Sequence, residues 1–129
     1  MICQNELRIG NYIQSWKYCQ QKARVVREYI PVTALVLMDI EKNTWYYHPI
    51  MLSENWLLGF GFTEHTDRFF IYNRVYNHPL TPAIEYRTKY EWKSRLLHVS
   101  LKEVKIVQML YVHQLQNFFF LLKGVELET

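Results

Sequence analysis

The stretch Ile84-Glu85-Tyr86-Arg87-Thr88-Lys89-Tyr90-Glu91-Trp92 decides the fold class. Ile84, Tyr86, Thr88, Tyr90 and Trp92 share one parity, and Glu85, Arg87, Lys89 and Glu91 take the other. A period of two puts the first set on a core and the second in water, which predicts a half-buried β-strand. Downstream, Ser94–Ser100 and Val104–Met109 read as further strands. They lead into Leu110–Lys123, where Val112, Leu115, Phe119 and Leu122 recur at i, i+3, i+7 and i+10. That spacing predicts a helix with one apolar stripe, and Gly124 suits the position just past its end.

Upstream, Arg68–Tyr76 reads as a strand, and Pro79 and Pro82 mark a loop before Ile84. Ser53 offers an N-cap hydroxyl for a short helix, with Glu54 in its first turn, Trp56, Leu57, Leu58 and Phe60 as docking residues, and Gly59 and Gly61 to end it. Further back, Leu7–Ile13 is an extended entry bent at Gly10-Asn11, and Tyr12–Tyr18 continues as a partly exposed strand. Ala23–Ile30 is a β-branched strand halted by Pro31. Thr33–Ile40 (TALVLMDI) is almost continuously apolar, as in a strand buried on both faces. Glu41-Lys42-Asn43 reads as a turn, and Thr44–Tyr47 as another strand. The expectation is an α+β fold in one domain over residues 1–129. Its N-terminal half is a small curled antiparallel or barrel-like sheet, followed by a short central helix, further antiparallel strands and a C-terminal helix.

Composition narrows the function classes. Half of the 129 residues are hydrophobic and 16% are aromatic, with only 4 Gly and 4 Pro, which excludes a disordered chain. No apolar run reaches the ~20 residues of a membrane span, and MICQNELRIG lacks a signal pattern, so the expectation is a cytoplasmic protein with no membrane partner. Cys3 and Cys19 fit neither a disulfide framework nor a zinc site. Four glycines allow no phosphate loop, and His48, His65, His78, His98 and His113 form no HxH or HExxH motif. Glu91-Trp92-Lys93 and Glu103-Val104-Lys105, with Asp67, are the only arrangement suggestive of a metal-dependent nuclease, and they also arise by default on a charged strand face. The reading is therefore no enzyme, no catalytic or metal-binding residue and no cofactor.

Charge points to a surface instead. The formal charge is +3. Residues 1–64 are neutral, whereas residues 68–105 hold eight basic side chains against Glu85, Glu91 and Glu103. In RFFIYNRVY, one parity carries Arg68, Tyr72, Arg74 and Tyr76. If the other parity faces the core, these line an exposed strand face beside Arg87, Lys89, Lys93 and Arg95. Tyrosine next to arginine suits both protein hot spots and base stacking over phosphate. Those eight residues are the candidate binding site, although such rings also close the rims of packed sheets.

Three segments carry a resemblance: NELRIGNYI (Asn5–Ile13), HPIMLSENWLLGFGF (His48–Phe62) and YVHQLQNFFFLLKGVELE (Tyr111–Glu128). In this order they resemble the opening, middle and closing blocks of a family of small bacteriophage and prophage proteins with no assigned chemistry. Ser53, Asn55 and Gly59 depart from its middle block. The resemblance implies phage origin and a shared scaffold containing Tyr111, His113, Gln114, Gln116 and Asn117, whose amides would bond backbone. The functional expectation is a non-catalytic inhibitor that binds a host protein or ribonucleoprotein in the bacterial cytoplasm. A defence complex such as a CRISPR–Cas effector is the leading target, as for an anti-CRISPR protein. The alternatives are direct binding of RNA or another single-stranded nucleic acid and, third, a metal-dependent nuclease.

Overall fold

The computed structural model describes residues 2, 4–65, 74–91, 94–101 and 104–129. The fold is α+β, with two antiparallel sheets and three α-helices among the described residues. The first sheet contains β1 (Tyr12–Cys19), β2 (Arg24–Pro31) and the two-residue β3 (Tyr47–His48), in the order β2-β1-β3. The second contains β4 (Thr63–His65), β5 (Arg74–Asn77), β6 (Ile84–Glu91), β7 (Ser94–Leu101) and β8 (Val104–Met109), in sequential order. Neither sheet closes into a barrel. Helix α1 (Ala34–Lys42) follows β2, α2 (Glu54–Gly59) precedes β4, and α3 (Val112–Lys123) ends the succession.

The alternation at residues 84–88 is realised as expected: Tyr86 and Thr88 are buried, Ile84 packs against the core, and Glu85 is exposed. Tyr86 pairs with Tyr76 on β5 and with Val99 on β7, so one face of the sheet presents a row of large side chains to α3. Val112, Leu115 and Phe119 of α3 are fully buried there, with Leu57, Phe60 and Phe62 beside them. Leu122, the last residue of the expected stripe, is exposed instead. Gly124 adopts φ +64° and its N–H reaches the Phe120 carbonyl at 2.7 Å, the left-handed stop expected of it.

Helix α2 follows Ser53, which has the extended backbone of an N-cap, but its hydroxyl makes no capping bond. Its other end is a Schellman motif: the Phe62 N–H donates to the Leu57 carbonyl and the Gly61 N–H to Leu58, with Gly61 at φ +91°. Docking of α2 uses Leu57 and Phe60, while Leu58 stays exposed.

Several expectations for residues 31–47 are corrected. Thr33–Ile40 is not a buried strand. Thr33 caps α1, its Oγ1 accepting from the Val36 N–H at 3.2 Å, and Glu41 and Lys42 belong to the last turn. A continuous apolar run has no period with which to choose helix or strand, and Ala, Leu and Met favour the helix. Nor is it buried all round: Leu35 is 77% exposed and Met38 64%, while Ile40 faces the second core cluster with Ile13, Val32 and Tyr47. Thr44–Tyr46 likewise forms a 3-10 turn, leaving only Tyr47 and His48 to pair as β3. Thr44 Oγ1 donates to the Ile40 carbonyl, which keeps the chain coiled beyond α1. Pro31, expected to halt the preceding strand, is its last paired residue, opposite Tyr12.

The side-chain amides of α3 join the two sheets. Gln116 is fully buried; its Oε1 accepts from the Tyr12 N–H at 2.8 Å, and its Nε2 donates to the carbonyls of Gly10 and Leu127. Asn117 accepts from Asn11 Nδ2 and donates to the Glu6 carbonyl, and Gln114 accepts from the N–H groups of Leu110 and Tyr111. Gln114, Gln116 and Asn117 thus bond backbone groups, as expected of these amides.

Candidate functional site

The expected basic-aromatic site divides when placed on the sheet. Arg68, Tyr72 and Lys93 lie outside the described residues. Tyr76, expected on an exposed face, is 0% exposed and sits in the core. The register pairs Arg74 with Thr88 and Tyr90 with Arg95, on the same ladder parity as the buried Tyr76–Tyr86 pair. Arg87 and Lys89 fall on the opposite parity, opposite His98 and Leu96. Arg87 is half-buried and lies 3.7 Å from Glu85. The positions are neighbours in the sheet, as β5–β6 pairing required, but they occupy both of its faces. The Glu91/Lys93 and Glu103/Lys105 pairs and Asp67 involve undescribed residues or side chains. Among the described residues, no three His, Cys, Asp or Glu side chains converge on a common metal position.

A second basic-aromatic surface is assembled by β1 and β2. Residues 12–31 carry Lys17, Lys22, Arg24 and Arg27 against Glu28. Pairing of Trp16 with Arg27, Tyr18 with Val25 and Gln14 with Tyr29 brings alternate residues of both strands onto one face. There the Arg27 guanidinium lies 4.3 Å from the Trp16 ring centre, and His48 stacks at 3.8 Å. The orientation of Trp16 is fixed by its indole N–H, which donates to Gln14 Oε1 at 2.8 Å. His48 is held in turn by its Nε2–H, donated to the Trp45 carbonyl at 3.0 Å. Tyr29 meets Trp56 edge-on at 5.4 Å, and Trp56 continues to Tyr12 and Phe60, so the face is anchored in the core at one end. At the other end Tyr18 and Val25 stand in water.

This face is unusual in its exposure. Tyr18 and Tyr29 are 64% and 63% exposed, yet their neighbours hold Trp16 and Trp56 in fixed orientations. Rings presented on a paired strand lose little further entropy on contact, and Arg27 adds an exposed cation. The arrangement suits stacking on planar groups and attraction of anionic ones. On the reverse face, Ser15, Lys17, Cys19 and Val26 border an open depression of about 280 Å³, with Lys17 over the Tyr47 ring.

Tyr47 closes the hairpin's inner side. Its hydroxyl donates to Asp39 Oδ2, and burial together with that bond raises its pKa to about 12. The Tyr47 and Asn43 hydrogen bonds lower the pKa of Asp39. Two histidines are held neutral by burial. His78 Nε2–H donates to the Phe60 carbonyl while its Nδ1 accepts from the Leu80 N–H, and desolvation lowers its pKa against the pull of Phe60. His113, stacked on Tyr111, has its pKa lowered by desolvation, partly opposed by Glu6 at 3.5 Å. Both are structural groups of the core rather than parts of the exposed face.

Sequence reasoning overlooked this hairpin because Glu6, Asp39, Glu41, Glu54 and Glu64 cancel its charge when residues 1–64 are counted together. The available signal was local: four cations against one acid within twenty residues also containing three tyrosines and a tryptophan. No helix among the described residues is long and apolar enough to cross a membrane. Compared with protein-family models, with curated proteins and with solved structures, the chain matches none.

Proposed function

We propose that this protein is a non-catalytic binding protein that works by occupying a partner through the aromatic-cationic face of the β1–β2 hairpin. The observation that supports this reading most directly is the exposure of Tyr18 and Tyr29 beside the ordered Arg27–Trp16–His48 stack. Tyr, Trp and Arg together are the residues from which interface hot spots are built. The resemblance to phage proteins directs the target to a host defence ribonucleoprotein such as a CRISPR–Cas effector, whose acidic protein surface or guide RNA the basic hairpin would cover. Immobilised protein is expected to retain an RNA-containing effector from host lysate, and one equivalent should block target-DNA binding by that effector once purified. Tyr29→Ala combined with Arg27→Glu should abolish both effects while leaving the fold intact. Full inhibition by that double variant would sink the assignment of the face.

A second reading, direct binding of single-stranded nucleic acid, is favoured by Tyr18 and Tyr29, exposed on one face of the hairpin as stacking platforms beside Arg27. It predicts binding of a short RNA oligomer by the isolated protein, weakening steeply as salt rises. An affinity indifferent to salt would remove this reading and leave the protein-partner one.

A further inference from the structure

Among the described residues strand β2 pairs only with β1, which leaves its outer edge unpaired there. The Val32 N–H donates to the Asn11 carbonyl at 2.7 Å, which fixes the phase of the ladder. Even-numbered residues of β2 turn their backbone groups toward β1, and Val25, Arg27 and Tyr29 turn theirs outward. An exposed edge of this length is a template for another strand, and proteins that avoid such pairing place charges where pairing would oppose them. Here the charges favour one pairing. We propose that β2 pairs antiparallel with the β2 of a second copy of this chain, about a two-fold axis through Val26, joining two three-stranded sheets into one of six strands.

The register follows by elimination. When the axis stands normal to the sheet, residues directly opposite share a face. Centring the pair on Arg27 would set two guanidinium groups against each other, and centring it on Glu28 would do the same for two carboxylates. Centring on Tyr29 would put Pro31, which has no N–H, in an outward bonding position. Centring on Val25 would shorten the ladder and leave Glu28 unmatched. Centring on Val26 sets Arg24 against Glu28 of the other copy twice over, and Val25 against Arg27 with both outward amides bonded. Arg24 and Glu28 are exposed, and neither has an ion-pair partner among the described residues. The charges that flank the centre of the edge are thus satisfied by a second copy of the same edge, the self-complementarity a two-fold interface requires. Both aromatic faces then lie on the same side of the joined sheet.

The test is sedimentation of the full chain across protein concentration. A dimer is expected at roughly 100 µM, consistent with a small interface. Arg24→Glu or Glu28→Arg alone should weaken it at least about tenfold by opposing like charges, and the double swap should restore it. In a background with Cys3 and Cys19 replaced by serine, Val26→Cys should form an intermolecular disulfide on mild oxidation. Opposed residues of a non-bonded pair lie about 4.5 Å apart at Cα. Val25→Cys, facing Arg27 rather than itself, should not. A wild-type chain that stays monomeric would overturn the proposal. So would a dimer indifferent to the charge swap, or one that cross-links at residue 25 as readily as at 26.

Discussion

The five-stranded sheet and the β1–β2 hairpin are made of similar material, alternating strands rich in tyrosine, but they dispose of it differently. In the larger sheet, Tyr76 and Tyr86 turn inward against Phe62 and Phe119 and are sealed by α3. On the hairpin, Tyr18 and Tyr29 turn outward and stay largely exposed, Tyr29 meeting Trp56 of α2 edge-on, while the opposite face packs with Tyr47 and α1. A tyrosine on a strand is therefore not a functional signal by itself. What separates the two regions is whether a helix of matching apolar stripe follows in the chain. Helix α3 supplies one for β5–β8; α1, with Leu35 and Met38 facing water, serves only the hairpin's inner side.

The contrast can be broken or sharpened by measurement. Phe119→Ala removes a fully buried ring that packs on Phe62 and His78 and should cost about 4 kcal/mol in urea unfolding. Tyr29→Ala should cost under about 0.5 kcal/mol while abolishing partner binding; equal costs at the two sites would end the distinction. Gln116→Ala strands the Tyr12 N–H and two carbonyls in a dry interior and is expected to cost about 3 kcal/mol. A loss below about 1 kcal/mol would show that water replaces the amide.

Acid should act on the larger core before the hairpin. The pKa values of His78 and His113 are lowered in the folded state, so below about 6.5 the unfolded chain binds protons that the folded one refuses. Stability is thus complete above that pH and lost as pH falls toward the folded values. Protonating His78 puts a proton on Nδ1 against the Leu80 N–H, so His78→Gln should flatten the acid limb of a pH–stability curve. The alkaline limb is shared by Tyr47 on the hairpin side and Tyr86 in the larger core, both raised by burial. Tyr47, raised to about 12, keeps its contribution below pH ~10 and loses it between there and about 12, and Tyr47→Phe should reduce that slope, leaving the part due to Tyr86. A small effect of the opposite sign is expected at Ala23, which adopts φ +50° in the hairpin turn. Ala23→Gly should stabilise by about 0.5 kcal/mol, relief of left-handed strain exceeding the added chain entropy.

How much of this was legible from sequence depended on periodicity. Ile84–Thr88 and α3 were readable because a fixed period repeats over enough residues to identify a face. TALVLMDI was not, because eight nearly uniform apolar residues have no phase, and the deciding group was the Thr33 hydroxyl just outside the run. The sheet divides the expected basic-aromatic residues between its two faces. Parity within a strand can be read from sequence, but which parity faces a helix is decided by packing that sequence alone does not specify, and Tyr76 fell on the covered side. The amides of Gln114, Gln116 and Asn117 were anticipated through the resemblance, since three polar side chains within four residues of an apolar helix need partners.

Gln116 also sets an order of events during synthesis. Its bonds to Tyr12 and Gly10 span 104 and 106 residues of chain. The hairpin can form early from local contacts, but its junction with α3 must wait until Gln116 has left the ribosome. For that interval the nascent chain carries an open-edged, aromatic hairpin ahead of the core that will anchor it. Elongation rate and chaperone supply should therefore govern the yield of this protein more than its final stability does.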